Sequence, residues 1–154
     1  MTGTIDARLA ELGITLPAAP APAANYVPFV ISGKMLYVSG QISSDENGLI
    51  KGRLGDGLEV AEGAAAARRC ALSLIAQAKA ACGGDLDGIA RVVKLVGFVN
   101  STADFTDQPK VVNGASDLMV EVFGDAGRHA RSAVSAAALP LGVAVEIEAI
   151  FELR

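Results

Sequence analysis

The sequence predicts an α+β protein in which one mixed β-sheet carries two helices on the same face. Strand-like segments come in pairs at both ends of the chain, and two long helical patterns lie between them, separated by one apolar strand pattern. The resulting order is β-β-(β)-α-β-α-β-β, where the bracketed strand is short. Two helices on one face leave the other face uncovered. Because a face rich in Val, Ala and Ile is unfavourable in water, we expect it to contact another copy of the chain.

Length and composition support a single domain. At 154 residues the chain can bury about 70% of its unfolded surface without disulfides. We therefore treat 1–154 as one domain, in which 1–25 form an N-terminal helix and an extended arm. Half of the residues (51%) are hydrophobic but only 5% are aromatic, so small side chains supply much of the apolar volume. This composition adds some weight to an oligomer.

Charge and sequence patterns argue against several classes of protein. The net charge is −4, and the 13 Lys and Arg are scattered with Arg68-Arg69 as the only adjacent pair, which argues against nucleic-acid binding. No apolar run approaches the ~20 residues of a membrane span. The N-terminus is typical of an amphipathic helix rather than a signal peptide. We expect a cytoplasmic protein whose two cysteines stay reduced in the core and, with one histidine, no metal site.

The first third of the chain predicts a helix, an arm and a hairpin. Residues 4–12 form a helical pattern that ends at a glycine, and the Ala/Pro-rich residues 17–28 predict an extended arm. Two apolar runs flank Gly33, which supplies the positive φ of a tight hairpin turn. Gly40 is expected to end the second strand, and it is equally consistent with close approach of a ligand. Residues 49–54 predict a short third strand.

The middle of the chain predicts two helices around a central strand. Small apolar residues recur at spacings of three and four over 59–82, and Gly83-Gly84 ends this helix. Residues 89–100 are nearly all apolar and β-branched, which predicts a strand buried on both faces. A second helix is predicted over 102–123, with Pro109 in its first turn.

The last two strand patterns, 131–138 and 143–152, flank a turn that contains proline. Strict alternation places Glu146 and Glu148 on one face of the final strand. If the two strands pair across the turn, Arg131 lies on that face as well. Charges within apolar strands need a partner or a cleft. These three charges therefore predict either a salt bridge on a solvated face or a ligand site.

Short motifs in a fixed order carry a resemblance to a known family over about residues 26–153. In chain order they are Val38-Ser39-Gly40-Gln41, Val93-Lys94, Asp104-Phe105, Asn113, Ala130-Arg131-Ser132, Leu139-Pro140 and Val145-Glu146-Ile147-Glu148. Each motif is weak alone, but in this order the chain resembles the RidA family, also called YjgF/YER057c/UK114 or L-PSP. The resemblance implies a chorismate-mutase-like homotrimer with ligand sites at the subunit interfaces. It implies no metal and no organic cofactor.

The resemblance also implies an activity, the hydrolysis of reactive enamines and imines such as 2-aminoacrylate to 2-keto acids and ammonia. Arg131 would bind the substrate carboxylate with its planar guanidinium. Glu146 would position a water and move protons, whereas Glu148 is structural. The remaining positions implied to bind substrate are Tyr26, Ser39, Gly40, Asn113 and Ala133.

Several departures place the chain in a divergent branch of that family. Asn25-Tyr26 stands where the archetype has Gly-Pro-Tyr, and Ala133 stands where members often carry a cysteine. The segment 106–112 is longer than in the archetype. Two alternatives stay open: a non-catalytic module that binds small carboxylates or 2-keto acids, and an endoribonuclease or translation inhibitor. The acidic net charge and the single histidine weigh against the second alternative.

Overall fold

The structure, a computed structural model, describes residues 3–21 and 24–154. Its α-helices in these ranges are α1 (Thr4–Glu11), α2 (Val60–Ala81) and α3 (Gln108–Phe123). The strands of the same ranges are β1 (Phe29–Ser32), β2 (Met35–Ile42), β3 (Ser44–Asp45), β4 (Gly48–Leu49), β5 (Arg53–Leu54), β6 (Gly57–Leu58), β7 (Ile89–Asn100), β8 (Ala130–Ala136) and β9 (Val145–Leu153).

Five of the strands form the main sheet, in the order β1-β2-β9-β7-β8. All neighbours are antiparallel except β7 and β8, which are parallel, so the sheet is mixed. The predicted α+β class and mixed sheet are confirmed. The predicted third strand over 49–54 is wrong, because that segment contributes only to two-residue ribbons outside the main sheet.

The N-terminal hairpin forms as predicted, with Gly33 at φ 61° in the turn between β1 and β2. Of the two alternatives that the sequence left open for Gly40, the end of a strand is not the one observed. Strand β2 continues to Ile42, and its pairing with β9 shifts register between Val38 and Gln41. A β-bulge re-aims the strand locally and is frequent next to functional sites.

The helices follow from local signals at their ends. A reciprocal capping box between Glu59 and Glu62 starts α2. Helix α3 begins at Gln108, later than the predicted Thr102, because proline is tolerated only in the first turn of a helix and Pro109 occupies that turn. The short predicted helix at the N-terminus is confirmed as α1, which is a third helix and contacts α3.

The core lies between the sheet and the two long helices. On β7, Val92, Leu95 and Val99 are fully buried against the helices, whereas Val96 and Phe98 on the other face are only half-buried. The prediction of a strand buried on both faces therefore fails within one chain. Large apolar side chains of the uncovered face, such as Tyr37 (46% exposed), meet solvent.

Both cysteines are free. Cys70 is fully buried, and this burial raises the pKa of its thiol far above the ordinary value. Such a thiol packs as a small hydrophobic group. Within residues 3–21 and 24–154, no helix combines the length and hydropathy needed to cross a bilayer.

Candidate functional site

A cavity of about 660 Å³ lies where the β2 bulge, the N-terminal arm and the turn before β9 meet. Four of the residues predicted from the sequence line it, namely Tyr26, Ser39, Gly40 and Glu146. The other described lining residues are Pro20, Ala21, Pro28, Gln41, Ile42, Ser44, Pro140 and Leu141. Because most of these groups are apolar or backbone, the cavity offers a poorly solvated environment to a small ligand.

Glu146 is the only charged side chain among the described residues that line this cavity. Burial, and to a smaller extent the charge of Glu148, raises the pKa of the Glu146 carboxyl above its ordinary value of 4.5. A carboxyl whose pKa moves toward neutrality is a better proton carrier at neutral pH. The alternation predicted for β9 is confirmed, since Glu146 and Glu148 lie on the face opposite the buried Ile147.

Gly40 leaves room for the Glu146 carboxylate. A Cβ built on Gly40 would lie 2.5 Å from Glu146 Oε2 and 3.0 Å from its Cδ. Real Cβ atoms essentially never show a contact as short as 2.5 Å, so any larger residue at position 40 must displace the carboxylate. The sequence left open whether Gly40 ends a strand or allows a close approach. In the structure it allows the approach of a side chain of the protein itself.

Ser39 attaches the arm to the sheet. Its hydroxyl donates to the Val27 carbonyl at 2.9 Å, and its N–H donates to the Pro28 carbonyl, also at 2.9 Å. Tyr26, at the end of the arm, is 47% exposed above the cavity. Residues of the arm thus line one side of the cavity.

Two buried amides, which the sequence interpretation missed, hold the arm and the bulge together. Gln77 of α2 donates to the Pro20 carbonyl at 2.6 Å and to Gln41 Oε1 at 3.4 Å. Gln41 in turn donates to the Ser39 carbonyl at 2.9 Å. Both glutamines are over 90% buried. The available signal was a glutamine in an otherwise apolar helical run, which is costly unless the amide is hydrogen-bonded.

Arg131 lies in a second group of residues on the helix side of the sheet. Its Nη1 donates to Asn113 Oδ1 at 2.8 Å and to Ser116 Oγ at 3.1 Å, and its Nη2 donates to the Pro109 carbonyl at 3.2 Å. Ala133 lies on the same face two residues later and packs against the core. The structure thus brings together the predicted residues Arg131, Asn113 and Ala133.

The structure does not bring Arg131 and Glu146 together within one chain. Strand β7 lies between β8 and β9, so the predicted pairing across the proline turn is wrong. In register, Arg131 lies beside Leu95, whose partner on β9 is Ala149, three residues from Glu146. At about 3.3 Å per residue and 4.8 Å per strand, the two Cα atoms are about 14 Å apart, and the side chains lie on opposite faces.

The fold and the two groups define a class: a small α+β protein that carries a half-buried carboxylate in a cavity and an anchored guanidinium at a sheet edge. The chain matches the model of the family described as "YjgF/chorismate_mutase-like, putative endoribonuclease" over residues 6–153. It belongs to that family, which confirms the resemblance stated above.

Individual relatives agree with this assignment. The chain is 56% identical to the protein TCP17 of Trypanosoma cruzi over 99% of its own length and 96% of the relative. A crystal structure described as a "putative endoribonuclease" from Shewanella oneidensis superposes with a TM-score of 0.93 at 38% identity, covering 98% of this chain and 100% of that one. Escherichia coli TdcF, crystallised with bound serine, superposes with a TM-score of 0.61 at 26% identity, covering 88% and 93%.

Proposed function

We propose that this protein hydrolyses small enamines and imines that carry a carboxylate, of the 2-aminoacrylate type, to 2-keto acids and ammonia. The observation that carries the proposal is the half-buried Glu146 carboxylate, whose raised pKa suits a group that takes up and returns a proton. A related protein, TdcF, binds serine, a small molecule with the same carboxylate next to a nitrogen-bearing carbon.

Arg131 supplies the recognition of the substrate carboxylate. Asn113, Ser116 and the Pro109 carbonyl occupy part of its hydrogen-bonding capacity and hold the guanidinium in place. Its Nε makes no hydrogen bond to another described residue, which leaves an N–H for a ligand. A guanidinium fixed in this way binds a carboxylate in a defined direction.

Glu146 supplies the proton transfers. As a water oxygen attacks the imine carbon, the carboxylate accepts a proton from that water, and a tetrahedral carbinolamine forms. The same proton then passes to the amine nitrogen. As the C–N bond breaks and the carbonyl forms, the carboxylate takes the proton of the carbinolamine hydroxyl and passes it to the departing ammonia. The protonated imine plus water thus yields the 2-keto acid plus ammonium, and the glutamate returns to its starting state.

Both residues can act on one substrate only if they come from different copies of the chain, because about 14 Å and the sheet itself separate them in one copy. We propose that a homotrimer, through the uncovered sheet face and the β8 edge, places Arg131 of one subunit near the Glu146 cavity of the next. The exposed apolar side chains of that face support this arrangement.

The activity test generates 2-iminobutanoate with a threonine dehydratase and follows its hydrolysis. Wild type should accelerate hydrolysis over buffer, and Arg131→Ala should abolish the acceleration. Arg128→Ala is the matched control, since Arg128 is 72% exposed and pairs only with the equally solvated Asp125. For the carboxylate, Glu146→Gln should lower the rate of hydrolysis about 10²–10⁴-fold, whereas Glu148→Gln should change it much less.

No acceleration of hydrolysis by wild type would refute the proposed activity. Binding of 2-ketobutyrate without turnover would instead favour the alternative of a non-catalytic binding module.

Mixed oligomers test the shared site. Arg131→Ala and Glu146→Gln should each show little or no activity as pure proteins, but every mixed trimer contains one interface that keeps both native side chains. Random mixing of equal amounts should therefore restore about a quarter of wild-type activity. No recovery in oligomers shown by mass spectrometry to be mixed would contradict a site built from two subunits.

The endoribonuclease named in the family description is a second candidate. The scattered basic residues and the net charge of −4 do not favour it. RNA binding by purified protein that weakens steeply with salt would support it.

A further inference from the structure

A chain of hydrogen bonds runs from the backbone to Arg131 through the single histidine of the sequence. His129 Nδ1 lies 2.6 Å from the Gly127 carbonyl oxygen, and His129 Nε2 lies 2.9 Å from Ser116 Oγ. Ser116 Oγ accepts from Arg131 Nη1 at 3.1 Å. The two bonds made by His129 are not used in the proposed chemistry described above.

For a neutral imidazole, the chemistry of the two ends determines the direction of every bond. The Gly127 carbonyl can only accept, so His129 Nδ1 must carry a proton. Because a neutral imidazole has one N–H, Nε2 is then the acceptor and Ser116 donates its hydroxyl proton to it. The guanidinium can only donate, so the remaining lone pairs of Ser116 accept from Arg131.

The residues that anchor this series of hydrogen bonds belong to packed elements of the fold. Gly127 is buried and packs so closely on α3 that an added Cβ would collide with the backbone of Met119 and with Val120 Cα at 3.0 Å. Ser116 is on α3 and half-buried, and His129 immediately precedes β8. The hydrogen-bond chain therefore ties the guanidinium to the C-terminal end of α3 as well as to Asn113.

We infer that His129 is a positioning residue: through Ser116 it fixes the orientation of the Arg131 guanidinium and hence the direction in which a ligand carboxylate is bound. Asn113 gives the first restraint on Nη1 and Ser116 gives the second, while the Pro109 carbonyl accepts from Nη2. Without an acceptor at His129 Nε2, the Ser116 hydroxyl can rotate and this second restraint is lost. The effect on turnover rests on the proposed function, whereas the effect on Arg131 does not.

Two substitutions at position 129 separate positioning from mere packing. His129→Asn places an amide N–H where Nδ1 lies and can still reach the Gly127 carbonyl, but it is too short to reach Ser116. His129→Gln places an amide oxygen near the position of Nε2 and can still accept from Ser116. Ser116→Ala removes the hydroxyl itself. His129→Asn and Ser116→Ala should therefore weaken the restraint on Arg131 in the same way, and His129→Gln should preserve it.

The first readout is ¹⁵N NMR of the full-length protein, where the single imidazole needs no assignment. When the imidazole is neutral, wild type should carry its ring proton on Nδ1. The Arg131 side chain should be restricted in wild type and His129→Gln but more mobile in His129→Asn and Ser116→Ala. The second readout is binding of 2-ketobutyrate, which should weaken about tenfold or more in the two mobile variants. With an active enzyme, KM should rise more than kcat falls.

The outcomes are distinguishable. If wild type neither binds 2-ketobutyrate nor hydrolyses the imine, the proposed function fails, and the motion of Arg131 still decides the role of His129. An Nε2-protonated ring, or an Arg131 side chain equally restricted in His129→Asn and wild type, overturns the inference. So does a 2-ketobutyrate affinity that falls equally in His129→Gln and His129→Asn.

Discussion

Replacing Gly40 by alanine adds one methyl group beneath the Glu146 carboxylate. The new Cβ would lie 2.5 Å from Oε2, and ordinary contact begins near 3.4 Å, so the carboxylate must withdraw by about 0.9 Å. The backbone of Gly40 is not in the left-handed region, so alanine fits the main chain without strain. The perturbation therefore acts on the position of one side chain.

The expected consequence is a loss of activity with little loss of stability. A misplacement of about 1 Å in a reacting group costs about 100-fold in rate, or about 2.7 kcal/mol of transition-state stabilisation. The free energy of unfolding should fall by only about 1 kcal/mol, because the displaced atoms end a flexible side chain. Gly88→Ala is the matched control, since its Cβ would meet Cys82 Sγ at 3.3 Å, away from the cavity.

The assay is hydrolysis of enzymatically generated 2-iminobutanoate, with thermal unfolding measured on the same samples. If Gly40 acts only through Glu146, the alanine should lower kcat/KM about 100-fold in wild type and hardly at all in a Glu146→Gln background. The reasoning would be refuted if Gly40→Ala kept the kcat/KM of wild type, or if it lowered kcat/KM equally in both backgrounds.

Two further predictions concern stability at a fixed protein concentration. Because the pKa of Glu146 is raised by burial and by Glu148, the folded state binds this proton more tightly than the unfolded chain, and the free energy of unfolding falls as pH rises from 4.5 through the folded pKa. Glu146→Gln should therefore become more stable relative to wild type across that range in urea unfolding, and a constant difference would contradict the assigned cause. Gly114→Ala should cost about 3 kcal/mol, since its Cβ would collide with the Ala64 carbonyl where α3 crosses α2. A thermal midpoint as high as that of Gly88→Ala would be inconsistent with this contact.

The order of elements could be predicted from the sequence because its signals are local. The helical periodicity of 59–82, the hairpin glycine at position 33 and the alternation of Glu146 and Glu148 each depend on residues within a few positions of one another. Part of the cavity was predictable for the same reason, because Ser39 and Gly40 lie in a short motif that can be recognised in the sequence. The bulge that re-aims them was not, because it appears only in the pairing with β9.

The remaining parts of the candidate site depend on contacts between segments that are distant in the sequence. Gln77 belongs to the site because the arm crosses α2 at Pro20, a contact between residues 57 positions apart that no local pattern encodes. His129 and Ser116 are neighbours because α3 packs behind the β8 edge.

The sequence by itself determined the class of fold, the family, and Arg131 and Glu146 as the charges to be explained. Only the tertiary structure decided where those charges lie, because the order of strands in a sheet depends on packing between distant segments. Because β7 lies between β8 and β9, the two charges expected to form a pair lie in separate groups of residues on opposite faces of the sheet.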